Sequence, residues 1–284
     1  MSGERVLVTC RQMQNCISEF LPALNERGLE LVMPDVVQQP SEDELIEVIG
    51  DFEGMIAGDD HLTARVLDHA TRMRIISKWG VGIDGIDMGA ARERGIAVTN
   101  TPGVFGGEVA DVALGYVVML ARQLHRMDAS VRNGGWFKYE GVSLAEKTLG
   151  VAGFGSIGQA VAARGRGFGM NVVAHDVAQA THAAAAEMAV GMVDCDELFG
   201  RSDFLVLCSP LTPETLHMVG ERTLALMAPG SFLVNVARGP LVDEGALVRA
   251  LDSGHLAAAA LDVFEQEPLP AESPLRRFEQ CVFG

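Results

Sequence analysis

The sequence has no cysteine pair of the C-x-x-C kind: Cys10, Cys16, Cys195, Cys208 and Cys281 are scattered and odd in number. That argues against a disulfide framework or a thiolate metal site and predicts reduced thiols in a cytoplasm. Positive charge is scarce. With 22 Lys and Arg against 38 Asp and Glu, the net charge is −16, which argues against nucleic acid or an anionic membrane as a partner. Long hydrophobic runs are missing too. The longest, "VALGYVVMLA" (112–121), meets Arg122 well short of a membrane span. The N-terminal "MSGERVLVTCRQMQ" has too short an apolar core for a signal peptide. There is no serine-rich linker, low-complexity tract or internal repeat, so nothing predicts disorder or a solenoid.

What is there is a chain of 284 residues, 48% hydrophobic, enough for two ordinary domains with a large core. Short β-rich runs alternate with amphipathic stretches. "RVLVTC" (5–10), "LELVM", "GMIAG", "RIISKWG" and "IAVTN" read as strands, separated by helical patterns. Ser41, with Glu44 three residues on, has the form of a capping box. Strands that are apolar throughout and separated by helices predict a parallel sheet covered on both faces.

The pattern then restarts. A long helix is predicted from Glu108 to Arg132, followed by the loop "NGGWFKYEG" and the strands "TLGVAGF", "NVVAHD", "FLVLCSP", "SFLVNVA" and "AAAALDVF". The fold class is therefore α/β, with two doubly wound parallel-sheet domains. "NTPG" breaks the pattern and places the boundary at 100/101.

"TLGVAGFGSIGQ" is the strongest local signal. Gly153, Gly155 and Gly158 form G-x-G-x-x-G between a strand and an apolar-faced helix. The first glycine makes the tight turn, the second admits pyrophosphate to the backbone, and the third lets helix and strand pack closely. The helix start at Ser156 and Ile157 offers free N–H groups and a positive dipole end to phosphate. Asp176 ends the next strand, 18 residues after Gly158. A carboxylate there accepts from both ribose hydroxyls and repels a 2′-phosphate, so NAD is expected over NADP.

Five stretches, "KWGVGIDGID", "NTPGVFGGEVAD", "CSPLTPET", "NVARGPLVDEGAL" and "AALDVFEQEP", follow in order. In order and spacing they resemble the D-2-hydroxyacid dehydrogenase family, which includes phosphoglycerate, glycerate/hydroxypyruvate and D-lactate dehydrogenases. The resemblance implies a flavodoxin-like substrate domain (1–100) and a Rossmann NAD-binding domain (101–284). It also implies hydride transfer between NAD(H) and a D-2-hydroxy or 2-oxo acid, with two lobes closing around the substrate.

Residue by residue, Arg238 matches the arginine that grips the substrate carboxylate, a task suited to its planar fork of donors. Glu267 matches the carboxylate that orients the acid/base histidine. Asp262 matches the contact to the nicotinamide carboxamide. Cys208, Pro210 and Thr215 match the adenosine pocket, and Val236 and Ala237 the cofactor side of the strand before Arg238. Lys78, Trp79, Gly80, Val81 and Gly82 match the loop whose N–H groups hold the substrate carboxylate. Trp136 falls in the loop after the long helix, where the resemblance implies a homodimer formed through the NAD-binding domain. His175, Asp111 and Phe105 depart from the usual tyrosine, glutamate and asparagine. "AGDDH" (57–61) adds two acids and a histidine near the expected side-chain pocket, which favours a small hydroxy acid over phosphoglycerate.

The family's acid/base histidine follows the last strand of the cofactor domain. Here that strand is "CVF", and Gly284 follows. None of the seven histidines fits: His217 and His255 read as helical, and His61, His69, His125, His175 and His182 lie elsewhere. The expectation is a dehydrogenase whose sequence stops short of its acid/base, without the segment that returns to the first domain. This chain is expected to bind NAD but turn over poorly. The alternative is a non-catalytic NAD-binding sensor or corepressor-like protein of the same fold.

Overall fold

The computed structural model describes residues 3–35 and 39–284. The chain divides into two compact units, Met1–Phe105 and Gly106–Gly284. The break falls a few residues past the "NTPG" stretch.

The first unit runs β1 (Glu4–Val8), α1 (Arg11–Glu26), β2 (Leu29–Val32), α2 (Glu42–Val48), β3 (Gly54–Ala57), α3 (Ala64–Leu67), β4 (Ile75–Lys78), α4 (Met88–Glu93) and β5 (Ala97–Thr99). Its strands pair in parallel in the order β2-β1-β3-β4-β5, the flavodoxin-like arrangement with its switch point between β1 and β3. Leu7, Leu45, Ile49, Phe52, Met55 and Ile76 fill the core. Short polar side chains start α2, α3 and α4 by taking orphan N–H groups. The expected capping box is present: Ser41 Oγ accepts from Glu44 N (3.3 Å), and Ser41 N donates to Glu44 Oε2 (2.8 Å). Thr63 and Asp87 cap α3 and α4 by accepting from Val66 N and Ala90 N.

The second unit runs α5 (Gly106–Arg122), α6 (Leu124–Arg132), β6 (Thr148–Ala152), α7 (Ser156–Gly167), β7 (Asn171–His175), α8 (Ala180–Glu187), β8 (Gly191–Met192), α9 (Cys195–Arg201), β9 (Phe204–Leu207), α10 (Glu221–Leu224), β10 (Ser231–Asn235), α11 (Glu244–Asp252), β11 (Leu256–Leu261) and β12 (Val282–Phe283). All seven strands are parallel, ordered β12-β11-β10-β9-β6-β7-β8. This is the Rossmann order with one further strand, and it reverses between β6 and β9. Every residue of β9 is fully buried, which is why the central strands read as unbroken apolar runs. "CVF" forms the edge strand β12 against β11.

The helix expected over 108–132 is two helices. Gln123 adopts a left-handed conformation (φ 53) between α5 and α6. The returning loop takes up the hydrogen bonds there: Gln123 Nε2 donates to Glu140 O and Val142 N to Ala121 O. Both halves are amphipathic, so periodicity alone does not reveal the break. Two histidines are also not helical. His217 lies in a turn with φ 50, and His255 precedes β11.

Candidate active site

In the second unit the loops after β6, β7, β9, β10 and β11 all leave the carboxyl edge of one parallel sheet, where ligands of such sheets bind. The glycine loop opens that edge. Gly153 has φ 91, and a Cβ there would lie 2.7 Å from Ser209 N, so the position requires glycine. A Cβ on Gly158 would lie 2.0 Å from Gly153 O, the close packing of helix on strand that the motif implies. Above Gly155 the space is open. α7 starts at Ser156 with no side-chain cap, and the N–H groups of Ser156, Ile157 and Gly158 donate to no described residue. This is an anion-binding helix start.

Asp176 is tied into the same loop. Its Oδ2 accepts from Phe154 N (2.7 Å) and its Oδ1 from Ala178 N (2.7 Å). Each oxygen keeps a lone pair for a hydroxyl donor. Cys208 follows β9, with its N–H on Ala152 O and a thiol pushed up to about 12 by burial. In the same loop Thr215 Oγ1 donates to Pro210 O (2.8 Å).

Beyond β10, the buried Asn235 shapes the "NVARG" turn. Its Nδ2 donates to Arg238 O (2.8 Å), and its Oδ1 accepts from Ala237 N (3.1 Å). Val236 is buried there, and Arg238 Nη1 donates to Ala237 O. Beyond β11, Asp262 is exposed, and its Oδ1 accepts from Tyr116 Oη (2.7 Å). Glu267 Oε1 accepts from Phe264 N (2.9 Å). No described histidine hydrogen-bonds Glu267. His217 Nε2 pairs instead with Glu265 Oε1 at 2.6 Å. Sequence reading missed Asn235 and Tyr116. The signal for Tyr116 was one phenol in the aliphatic run "ALGYVVML"; Asn235 stood in plain view inside "NVARG".

The first unit has its own polar carboxyl edge, and Lys78 to Gly82 lie there. Lys78 is buried, and its Nζ donates to Gly58 O (2.6 Å) and Asp59 Oδ1 (2.9 Å). Trp79 is partly buried beside Val8, Cys10 and Met13. In the turn that follows, Gly80 O accepts from Thr101 N (2.9 Å) and Val81 O from Asn100 Nδ2 (2.6 Å). The N–H groups of Gly80, Val81 and Gly82 donate to no described residue. Asp60 is buried at the switch point. Its Oδ2 accepts from Thr9 Oγ1 (2.6 Å) and Gly58 N (2.8 Å), while Oδ1 has no partner among the described residues. Burial holds its pKa above the usual carboxylate range, with the two bonds to Oδ2 opposing that shift.

Comparison with known proteins decides what this arrangement belongs to. The family described as "D-isomer specific 2-hydroxyacid dehydrogenase, NAD binding domain" matches residues 114–284. The chain belongs to this family. It is 41% identical to a glyoxylate reductase of Thermococcus litoralis over 253 residues, 86% of this chain and 76% of that protein. It is 40% identical to a D-3-phosphoglycerate dehydrogenase of Methanocaldococcus jannaschii over 246 residues, but spans only 47% of that relative's length. The crystal structure of an Aquifex aeolicus D-lactate dehydrogenase, complexed with NAD and lactic acid, superposes with a TM-score of 0.84 at 28% identity. That match covers 99% of this chain and 87% of the other. The second unit is thus the NAD-binding domain of a member of this family. Among the described residues no helix is long and apolar enough to cross a membrane, and no cluster of acids, histidines and cysteines could hold a metal.

Proposed function

We infer that the protein is a cytoplasmic NAD-dependent dehydrogenase interconverting a small 2-oxo acid and its D-2-hydroxy acid. The observation that carries this reading is the single sheet edge that gathers the uncapped α7, Asp176, Arg238, Asp262 and Glu267. Bound NAD supplies or accepts the hydride. The chain's own residues bind and orient. The N–H groups of Ser156, Ile157 and Gly158 take the pyrophosphate, and Asp176 accepts from the ribose hydroxyls. Cys208, Pro210 and Thr215 would hold the adenosine, and Val236 and Ala237 would line the dinucleotide site. Asp262 accepts from the carboxamide.

Arg238 binds the substrate carboxylate through its fork and polarises the adjacent carbonyl, stabilising the alkoxide charge that grows as hydride arrives. Glu267 is the carboxylate that would orient an acid/base histidine; here it accepts from Phe264 N. In the first unit, the turn of Gly80 to Gly82 presents backbone N–H groups suited to a carboxylate. Lys78 shapes the wall behind it.

A small substrate is supported by two further observations. The Lys78 charge next to this turn is already matched by Asp59, which weighs against its use for a phosphate. The Thermococcus relative carries the name of a glyoxylate reductase. The relatives' names also weigh against the non-catalytic alternative. A homodimer through the second unit is supported by the exposed Trp136 and Phe137 beyond α6.

The test is binding and turnover in Arg238→Ala and Arg238→Lys. NADH affinity should hold in both. The affinity of the NADH complex for oxamate, and kcat/KM for glyoxylate, should fall at least about 100-fold in the alanine variant. Undiminished oxamate binding in Arg238→Ala overturns the assignment.

A further inference from the structure

Tyr116 is a phenol in the wrong company. The other buried residues of α5 are Gly106, Ala110, Ala113, Leu114, Val117, Leu120 and Ala121, none with a polar side chain. Burying a hydroxyl among them is costly unless it is hydrogen-bonded. Its partner is Asp262, 146 residues away in sequence, at 2.7 Å. Burial first, and then the Asp262 carboxylate, raise the phenol above its ordinary range. It therefore stays protonated and donates.

The acceptor end is built with equal care. The backbone of Asp262 is fixed by its N–H on Asn235 O at the end of the β10–β11 ladder. What remains free is the side-chain rotamer, and Tyr116 takes up Oδ1, leaving Oδ2 without a partner among the described residues. A Cβ on Gly284 would come within 2.0 Å of Tyr116 Oη and 2.6 Å of Asp262 Oδ1, so the neighbouring backbone leaves room for this pair only as glycine. At its other end α5 is clamped to α7: Arg164 donates to Asp111 Oδ1 (2.6 Å) and Gly107 O (3.2 Å). A Cβ on Gly106 would be 3.3 Å from Ser156 O. One rigid helix thus links the phosphate-binding helix start to Asp262.

We propose that Tyr116 is a positioning residue for the nicotinamide end of the dinucleotide, holding one oxygen of Asp262 so that the other is aimed at an amide donor. This rests on the reading of the second unit as an NAD site with Asp262 at the carboxamide. By locking the rotamer before binding, Tyr116 removes an ordering cost from the contact and gives the site its preference for an amide over other ring substituents.

The experiment compares the dissociation constants of NAD, ADP-ribose and 3-acetylpyridine adenine dinucleotide, whose methyl ketone has no N–H donor. They are measured by calorimetry on the wild-type chain, Tyr116→Phe, Asp262→Ala and the double variant. Wild type should bind NAD more tightly than the acetylpyridine analogue. Tyr116→Phe should lose about three- to tenfold in NAD affinity, with ADP-ribose and the analogue unchanged. The double variant should be no weaker for NAD than Asp262→Ala, because the tyrosine acts through the carboxylate. Equal losses for NAD and ADP-ribose in Tyr116→Phe, or additive losses in the double variant, overturn the proposal and mark a merely structural tyrosine. An Asp262→Ala variant with intact preference for NAD overturns the underlying reading of Asp262 and the proposal with it. Collapse of the preference in Asp262→Ala but not in Tyr116→Phe overturns the proposal alone.

Discussion

Gly239 lies against Phe264 so tightly that a Cβ on it would stand 1.8 Å from Phe264 O and 2.5 Å from Glu265 N. This contact couples two loops. The one after β10 carries Arg238, and the one after β11 carries Glu267. The separation between the arginine and the glutamate is therefore set by a backbone-to-backbone approach that no side chain can enter. Gly239→Ala should push the loops apart. We expect a loss of about 3 kcal/mol in stability, at the upper end of overpacking costs, together with a fall in kcat/KM, whereas Arg238→Lys should lower kcat/KM without that loss of stability. A Gly239→Ala protein with wild-type thermal midpoint and oxamate affinity contradicts this view of the coupling.

The glycine loop makes a second prediction. Gly158→Ala would set a methyl group 2.0 Å from Gly153 O, so the loop must move. Phe154 N, which donates to Asp176, moves with it. NADH affinity should drop by at least about tenfold, while Gly155→Ala, which meets no protein atom, should weaken NADH without lowering the thermal midpoint. Fluorescence titration with parallel thermal melts separates the two.

Asp60 titrates against the fold. Its folded pKa is raised by burial, so the folded protein holds the proton more tightly than the unfolded chain. Stability from this residue is full below the unfolded aspartate pKa and is lost as pH rises towards the raised folded value. Asp60→Asn keeps an acceptor for Thr9 and Gly58 N and cannot ionise. The variant should match wild type at low pH and equal or exceed its unfolding midpoint at pH 8. A variant much less stable than wild type at pH 8 would show that the ionised carboxylate itself holds the loop.

Thiol chemistry provides a fourth check. Burial pushes Cys208 up to about 12 and Cys281 up to about 11. At pH 8 roughly one Cys208 in 10⁴ is a thiolate. Alkylation by iodoacetamide, mapped by mass spectrometry, should leave both residues unmodified in the folded protein and modify them readily in urea.

At the first unit, Ser41→Ala removes the acceptor that Glu44 N uses and one side of the capping box. A loss of about 1 kcal/mol is expected, read as a lower unfolding midpoint with NADH affinity unchanged. Hydrogen exchange that speeds up in α2 alone would place the effect where the cap is.

Much of this molecule was legible in its sequence because the signals are local. Apolar strands alternating with amphipathic helices required parallel sheets covered on both faces, and both sheets are parallel. Gly153, Gly155 and Gly158 between a strand and a helix, with Asp176 ending the next strand, required a loop of that shape. Ser41 and Glu44 needed only each other. Tertiary structure decided what depends on distant partners. A left-handed Gln123 splits one apparent helix, because a returning loop supplies hydrogen bonds that periodicity does not encode. His217 and His255 leave their apparent helices for a turn and a strand start. Lys78 is engaged by Asp59 and Gly58 only once β3 and β4 lie side by side. Tyr116 reads as one more core aromatic until the fold brings Asp262, 146 residues further along, to its hydroxyl. Neighbours along the chain determine elements and motifs; the state of a polar side chain is determined by whichever atoms the fold places within 3 Å of it.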